Sequence, residues 1–155
     1  MSNFVIRTTV GDIVCELCND TAPRTVEHVT NVIKSFILDG SSFYRSDFVI
    51  QFGLYGSGKS STIPDLLVNE SRRGDARSNV RGTLAVAHHD VPDCGNSEYF
   101  INLQDNVHLD EAYGGYCVFA RVLPEDTKSW TTINTIAAQL GSSTSIPVNE
   151  VKLLN

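Results

Sequence analysis

Phe43-Tyr44-Arg45-Ser46-Asp47-Phe48-Val49-Ile50-Gln51-Phe52-Gly53 is the stretch on which the fold turns. Its aromatic and β-branched residues favour extended chain, and along a strand successive side chains leave on opposite faces. Gln51 is therefore expected to share a face with Val49, and Phe48 with Ile50. One arginine and one glutamine on an otherwise apolar wall suit a pocket that is mostly greasy, with a few oriented donors. Outward from there, β-prone runs at residues 3–8 and 13–17 flank the turn signal Val10-Gly11-Asp12 and predict an opening hairpin. Thr21-Ala22-Pro23 starts a helix, since the missing proline N–H has no partner in a first turn. Val26, Val29, Ile33, Phe36 and Ile37 give that helix an apolar face up to Asp39-Gly40. Further strands are predicted at 42–44, 48–52, 82–88, 99–103, 116–122 and 148–153. A second helix is predicted over 129–140, with Trp130, Ile133, Ile136, Ala137 and Leu140 inward. Residues 53–81 are rich in Gly, Ser, Asn and Arg and show little periodicity outside 63–68. Many short strands, two distant helices and no alternating βαβ units favour one mainly β domain, a closed or nearly closed barrel with helices outside.

A chain of 155 residues with 41% hydrophobic residues can bury a single core. Its 12 Lys+Arg against 18 Asp+Glu leave a net charge of −6, which argues against nucleic acid as a partner. The start Met1-Ser2-Asn3-Phe4-Val5-Ile6-Arg7 lacks the pattern of a signal peptide, and no apolar run is long enough to span a membrane. A cytoplasmic or nuclear location with free thiols is the expectation. Cys15-Glu16-Leu17-Cys18 has the C-x-x-C form but no second ligand pair at zinc spacing, and His88-His89 with Cys94 has no evident fourth ligand. No metal is expected. Arg72, Arg73, Arg77 and Arg81 read as a solvated loop.

Gly53-Leu54-Tyr55-Gly56-Ser57-Gly58-Lys59-Ser60 matches the phosphate-binding pattern G-x-x-x-x-G-K-[ST] letter for letter. That chemistry needs a helix after the lysine, because the helix N-terminus completes the anion site. Pro64 would break such a helix in its second turn. The segment is expected to be a surface loop with a solvated lysine, and nucleotide binding is the weakest of the functional readings.

Several segments, in order and nearly end to end, resemble the cyclophilin family of peptidyl-prolyl cis–trans isomerases. Thr9-Val10-Gly11-Asp12-Ile13 is similar to the family's opening hairpin, and Ala22-Pro23-Arg24-Thr25-Val26-Glu27 to its first-helix entry. Phe43-Tyr44-Arg45 with Phe48-Val49-Ile50-Gln51 resembles F-H-R … F-M-x-Q. Gly82-Thr83-Leu84-Ala85-Val86-Ala87 with Asn96-Ser97-Glu98-Tyr99-Phe100-Ile101 resembles G-x-x-x-M-A … S-Q-F-F-I. His108-Leu109-Asp110 and Val118-Phe119-Ala120-Arg121-Val122 take the W-L-D … V-F-G-x-V positions. The resemblance implies a closed antiparallel eight-stranded β-barrel capped by two α-helices, working as a cofactor-free monomer on proline-containing segments of client proteins. It makes Arg45 the catalytic arginine and Gln51 its helper. Phe48, Val49, Phe100 and Leu109 form the proline pocket, while Ala87, His88, Glu98, His108 and Tyr116 line the groove. The alternative is a binding module of the same fold with little turnover, because function belongs to the site and not to the fold.

The residue types suit the chemistry. An X–Pro bond turns over tens to hundreds of seconds unaided. Twisting it localises the nitrogen lone pair, to which a permanently charged guanidinium can donate. Several positions depart from the family pattern. Only Ser46 and Asp47 stand between Arg45 and Phe48, Val49 replaces a methionine, Glu98 a glutamine, and His108 the tryptophan. Members lacking that tryptophan commonly bind cyclosporin-type macrocycles weakly, so weak binding is expected. Residues 82–120 hold no Lys or Arg but contain Asp90, Asp93, Glu98, Asp105, Asp110 and Glu111. This acidic groove wall is expected to favour peptides with Lys or Arg near the proline.

Overall fold

The computed structural model describes residues 2–88, 94–140 and 145–154. The chain runs β1 (Asn3–Thr8), β2 (Gly11–Leu17), α1 (Pro23–Lys34), β3 (Ser42–Ser46), β4 (Val49–Gly53), β5 (Thr83–Val86), β6 (Glu98–Asn102), β7 (Val118–Val122), α2 (Thr127–Gln139) and β8 (Ile146–Leu154). The strands close into a barrel in the order β1-β2-β7-β5-β6-β4-β3-β8. Each strand pair is antiparallel. This is the eight-stranded barrel with two helices implied by the resemblance.

Alternation builds the barrel's interior. Ile50, Phe52, Leu84, Val86, Tyr99, Ile101 and Phe119 pack in one large buried cluster with the apolar faces of both helices. The strand residues that alternate with them point the other way: Val49, Ala85 and Phe100 join Leu109, from the 3-10 turn Val107–Asp110, in a second, smaller cluster flanked by Phe48, Ala87 and Tyr116. The cleft described below stands on this outer cluster.

Helix α2 starts on Asp126, whose carboxylate accepts from Lys128 N and Ser129 N, and Ser129 Oγ in turn accepts from Val14 N of β2. Helix α1 has no capping side chain at its own N-terminus. Its unpaired amide at Thr25 donates 2.7 Å to the buried Glu70 carboxylate, which belongs to a short 3-10 turn in the long 54–82 connection.

Several expected boundaries move. The first helix stops at Lys34 instead of reaching Asp39. Phe36, expected on its apolar face, takes φ 60° and stands 67% exposed, because the chain has already left helical geometry. Phe48 precedes β4, so strand alternation does not govern it. Its carbonyl accepts from Leu103 N and Asn106 Nδ2, and its side chain packs with the outer cluster and not beside Ile50. The apolar run at 63–68 makes no strand beyond a single bridge, Leu66 to Gly95. No helix follows Lys59, and its ammonium is not simply solvated, since it donates 2.8 Å to the Asp39 carbonyl. The phosphate-loop lookalike is thus a turn stitched to the end of the α1–β3 connection.

Candidate active site

Cross-strand register sets the floor of the site. Gln51 pairs with Phe100, which pairs in turn with Ala85, so one row crosses β4, β6 and β5 on the barrel's outer face. Above it lies a cleft of about 590 Å³. Arg45, Gln51, Phe48, Val49, Ala87, His88, Glu98, Phe100, His108, Leu109 and Tyr116 all line it, so every residue singled out from sequence comes together. Sequence reading missed Cys94, Asn96, Ser97, Ala112 and Tyr113, which also border it. Each lies within a few positions of a residue that was named, and adjacency was the available signal. Ala85, which sequence reading also passed over, is fully buried in the floor.

Arg45 reaches this face through an irregularity. Phe43 pairs with Phe52 and Arg45 with Gln51, which leaves Tyr44 as an extra residue in β3. Strict alternation would send Arg45 to the same side as the fully buried Phe43. The bulge at Tyr44 re-aims it to the side of Gln51. The guanidinium is then held on two edges: Nε donates 2.9 Å to Asp47 Oδ2 and Nη1 donates 3.1 Å to Gln51 Oε1. Asp47 is itself pinned, since its other oxygen accepts from Val49 N at 3.2 Å and its own amide donates to the Val49 carbonyl at 2.9 Å. The short Ser46-Asp47 connection, a departure from the family pattern, thus brings a carboxylate against the arginine. The pairing with Asp47 and a place in the cleft coexist. Arg45 also lies over Phe48, 5.5 Å from the ring centroid, and among the described residues Nη2 is the guanidinium edge to which no hydrogen bond is made.

The apolar pocket is built from aromatic edges. Phe100 meets Tyr116 edge-on at 5.6 Å, and Phe48 meets His108 edge-on at 5.6 Å. His88 stacks on Tyr116 at 4.2 Å, and its Nε2 bonds the Gly115 carbonyl at 2.8 Å. Behind the pocket runs a chain of buried amides that no sequence motif announced. Asn106 Nδ2 donates to Asn102 Oδ1, Asn102 Nδ2 to Asn79 Oδ1, and Asn79 Nδ2 to Asp110 Oδ1. Burial works against the charge of Asp110. Hydrogen bonds from Ser78 and Asn79 together outweigh it and hold the carboxyl below the usual carboxylate range. Asn106 ties this network to the pocket, since its carbonyl accepts from Leu109 N at 2.9 Å and its Nδ2 donates to the Phe48 carbonyl at 3.1 Å.

The acids of the groove wall do not form a plain charged rim. Glu98 accepts from Tyr44 Oη, Leu54 N, Tyr55 N and Ser97 Oγ. Asp110 is bound as described, and Asp105 Oδ1 accepts from Arg81 N. Asp90 and Asp93 lie outside the described residues, as does His89 of the His88-His89 pair. Among the described residues, no three His, Cys, Asp or Glu side chains gather as a metal site. Cys15, Cys18, Cys94 and Cys117 form no disulfide, and burial pushes Cys117 up to about 11.

The family profile described as "Cyclophilin type peptidyl-prolyl cis-trans isomerase/CLD" matches residues 3–155. A peptidyl-prolyl cis-trans isomerase of Acinetobacter baylyi is 31% identical, the match covering 97% of this chain and 81% of that protein. Peptidyl-prolyl cis-trans isomerase B of Escherichia coli is 35% identical, over 75% of this chain and 74% of that protein. The crystal structure of a Cryptosporidium parvum cyclophilin type peptidyl-prolyl cis-trans isomerase, determined in the presence of the dipeptide Ala-Pro, superposes with a TM-score of 0.80. It shares 21% identity, and the match covers 99% of each chain. The chain belongs to the cyclophilin-type peptidyl-prolyl cis-trans isomerase family.

Proposed function

We propose that this cleft is where the chain carries out its family's prolyl isomerisation, with Arg45 as the catalytic group, Gln51 as its helper and the Phe48, Val49, Phe100 and Leu109 pocket holding the proline ring. The observation that carries the reading is the guanidinium itself. Two of its edges are fixed by Asp47 and Gln51 at the lip of an apolar pocket, and Nη2 is left to meet a substrate. An X–Pro unit seated with its ring on Phe100 would present its amide to that edge. As the bond twists, the nitrogen gains a lone pair and becomes a better acceptor, so the hydrogen bond strengthens in the transition state more than in either planar state. A millionfold acceleration needs about 8 kcal/mol. One charged hydrogen bond supplies roughly 1.5–3 kcal/mol, so the pocket and groove contribute the larger share by holding the ring while the bond turns.

The partners in this reading are proline-containing segments of client proteins, engaged by a monomer in the cytoplasm or nucleus. His108, edge-on to Phe48, takes the place of the family's tryptophan and presents a smaller ring, which supports weak binding of cyclosporin-type macrocycles. The acids of residues 82–120, of which Glu98, Asp105 and Asp110 are engaged by protein donors, favour Lys or Arg beside the proline through the field they set up at the groove.

NMR exchange on an X–Pro peptide tests the assignment. Wild type accelerates cis–trans exchange, and Arg45→Ala lowers the rate by roughly ten- to a hundredfold, the range of one charged hydrogen bond. Equal acceleration by both proteins would remove Arg45 from the mechanism.

A further inference from the structure

The hydrogen bonds that reach Arg45 from the protein side have a direction, and it is set two residues further back. A carboxylate only accepts. Tyr44 therefore donates its single hydroxyl proton to Glu98 Oε1, 2.8 Å away. With that proton committed, the Tyr44 oxygen accepts from Gln51 Nε2 at 2.9 Å. The Gln51 amide is thereby oriented, and the oxygen it turns outward is the one that accepts from Arg45 Nη1 at 3.1 Å. Turned the other way, the amide would point its own donors at a guanidinium that has only donors. Glu98 is firmly seated for this task. Leu54 N at 3.0 Å and Ser97 Oγ at 2.9 Å hold one oxygen, and Tyr55 N at 3.2 Å holds the other.

We propose that Tyr44 and Glu98 are positioning residues for Arg45, and that Glu98 acts on the arginine through Tyr44 and Gln51 instead of binding the peptide directly. The residues come from three places in the chain: the β3 bulge, the middle of β4 and the start of β6. The bulge that turns Arg45 into the cleft also sets the Tyr44 hydroxyl between Gln51 and Glu98. Burial first, and the bond to Glu98 second, keep the phenol protonated well above its ordinary range, so the relay keeps its direction through neutral and alkaline pH. The proposal rests on the reading of Arg45 as the catalytic group, and the test separates the two.

Rates of X–Pro exchange are measured for wild type, Tyr44→Phe, Glu98→Gln and Arg45→Ala, and for Tyr44→Phe combined with Arg45→Ala. Tyr44→Phe removes the hydroxyl and leaves the ring. It is expected to lower kcat roughly three- to tenfold, the worth of one hydrogen bond, with KM unchanged. Glu98→Gln, which turns one acceptor oxygen into a donor, is expected to lower kcat in the same sense. In the Arg45→Ala background, Tyr44→Phe is expected to cost nothing further. Side-chain NMR of Arg45 reads the same point without turnover. Distinct Nη signals in wild type, reporting hindered rotation of the guanidinium, should merge in Tyr44→Phe while the backbone spectrum beyond the site is unchanged. Wild-type kcat in either single variant, or an unchanged arginine spectrum in Tyr44→Phe, would overturn the positioning role and leave Arg45 standing. A wild-type rate in Arg45→Ala would overturn both readings together.

Discussion

Gly53→Ala should be far more damaging than a single methyl in a loop suggests. Gly53 closes β4 with φ +153°, a backbone conformation side chains rarely adopt, and it sits opposite Glu98 in the register. A Cβ built there would fall inside the contact distance of Glu98 Oε1 and the Ser97 carbonyl oxygen, and 2.6 Å from Glu98 Cδ. The Ser97 carbonyl belongs to the backbone entering β6 and cannot step aside. The Glu98 carboxylate can swing away only by releasing Leu54 N, Tyr55 N and Tyr44 Oη. Overpacking of this kind costs about 1–3 kcal/mol, and each lost bond to a charged acceptor about 1.5–3 kcal/mol net of the exchange with water. With one such bond lost the total is about 2.5–6 kcal/mol, which for a domain of this size lowers Tm by roughly 5–24 °C. Gly56→Ala serves as the control. It has φ +80° but nothing within 4 Å of the added carbon, so only the backbone cost of about 1–2 kcal/mol applies. Thermal and urea unfolding measure both, with X–Pro exchange read alongside, because loss of the Glu98 seat should also slow catalysis. A Gly53→Ala protein melting within about 2 °C of wild type, with unchanged kcat/KM, would refute the argument.

The lowered pKa of Asp110 makes a stability statement with a definite sign. Its contribution is fully present above the unfolded carboxylate value and is lost as pH falls through the lower folded value. Asp110→Asn should therefore be less stable than wild type at neutral pH, with the difference closing in acid. Urea midpoints that differ equally at pH 7 and at pH 2 would contradict this. Cyclosporin titrated directly against the protein should bind weakly, and tight binding would show that His108 serves as well as the family's tryptophan. Peptides differing only in Lys or Glu beside the proline should show a higher kcat/KM for Lys at low salt, the gap narrowing as salt rises. Equal values would mean that the carboxylates of the groove wall are spent on internal donors.

Much of the site was legible because its parts are strand residues with a period of two. Val49, Gln51 and Phe100 alternate with Ile50, Phe52, Tyr99 and Ile101, so one set fills the barrel and the other faces the cleft. The motif order supplied the rest of the lining, including His88, His108 and Tyr116. What alternation could not supply lies where the chain leaves regular geometry. Alternation predicts the wrong face for Phe48 because β4 begins only after it, and its carbonyl is held by residues more than fifty positions away. The helical period likewise predicts a buried Phe36, but the helix ends at Lys34 and Phe36 turns out of it at φ 60°.

The amino-acid sequence by itself determined the mainly β barrel, its two helices, the family and the identity of the cleft's lining. These follow from local periodicity and from motifs whose residues are neighbours in the chain. The tertiary structure alone decided how Arg45 is aimed and held. A bulge exists only relative to a partner strand, so the extra residue at Tyr44 cannot be read from β3 alone. The Tyr44–Glu98 bond joins residues 54 positions apart. Its direction, and through Gln51 the orientation of the arginine's partner, follow from which atoms the closed barrel brings within hydrogen-bond reach.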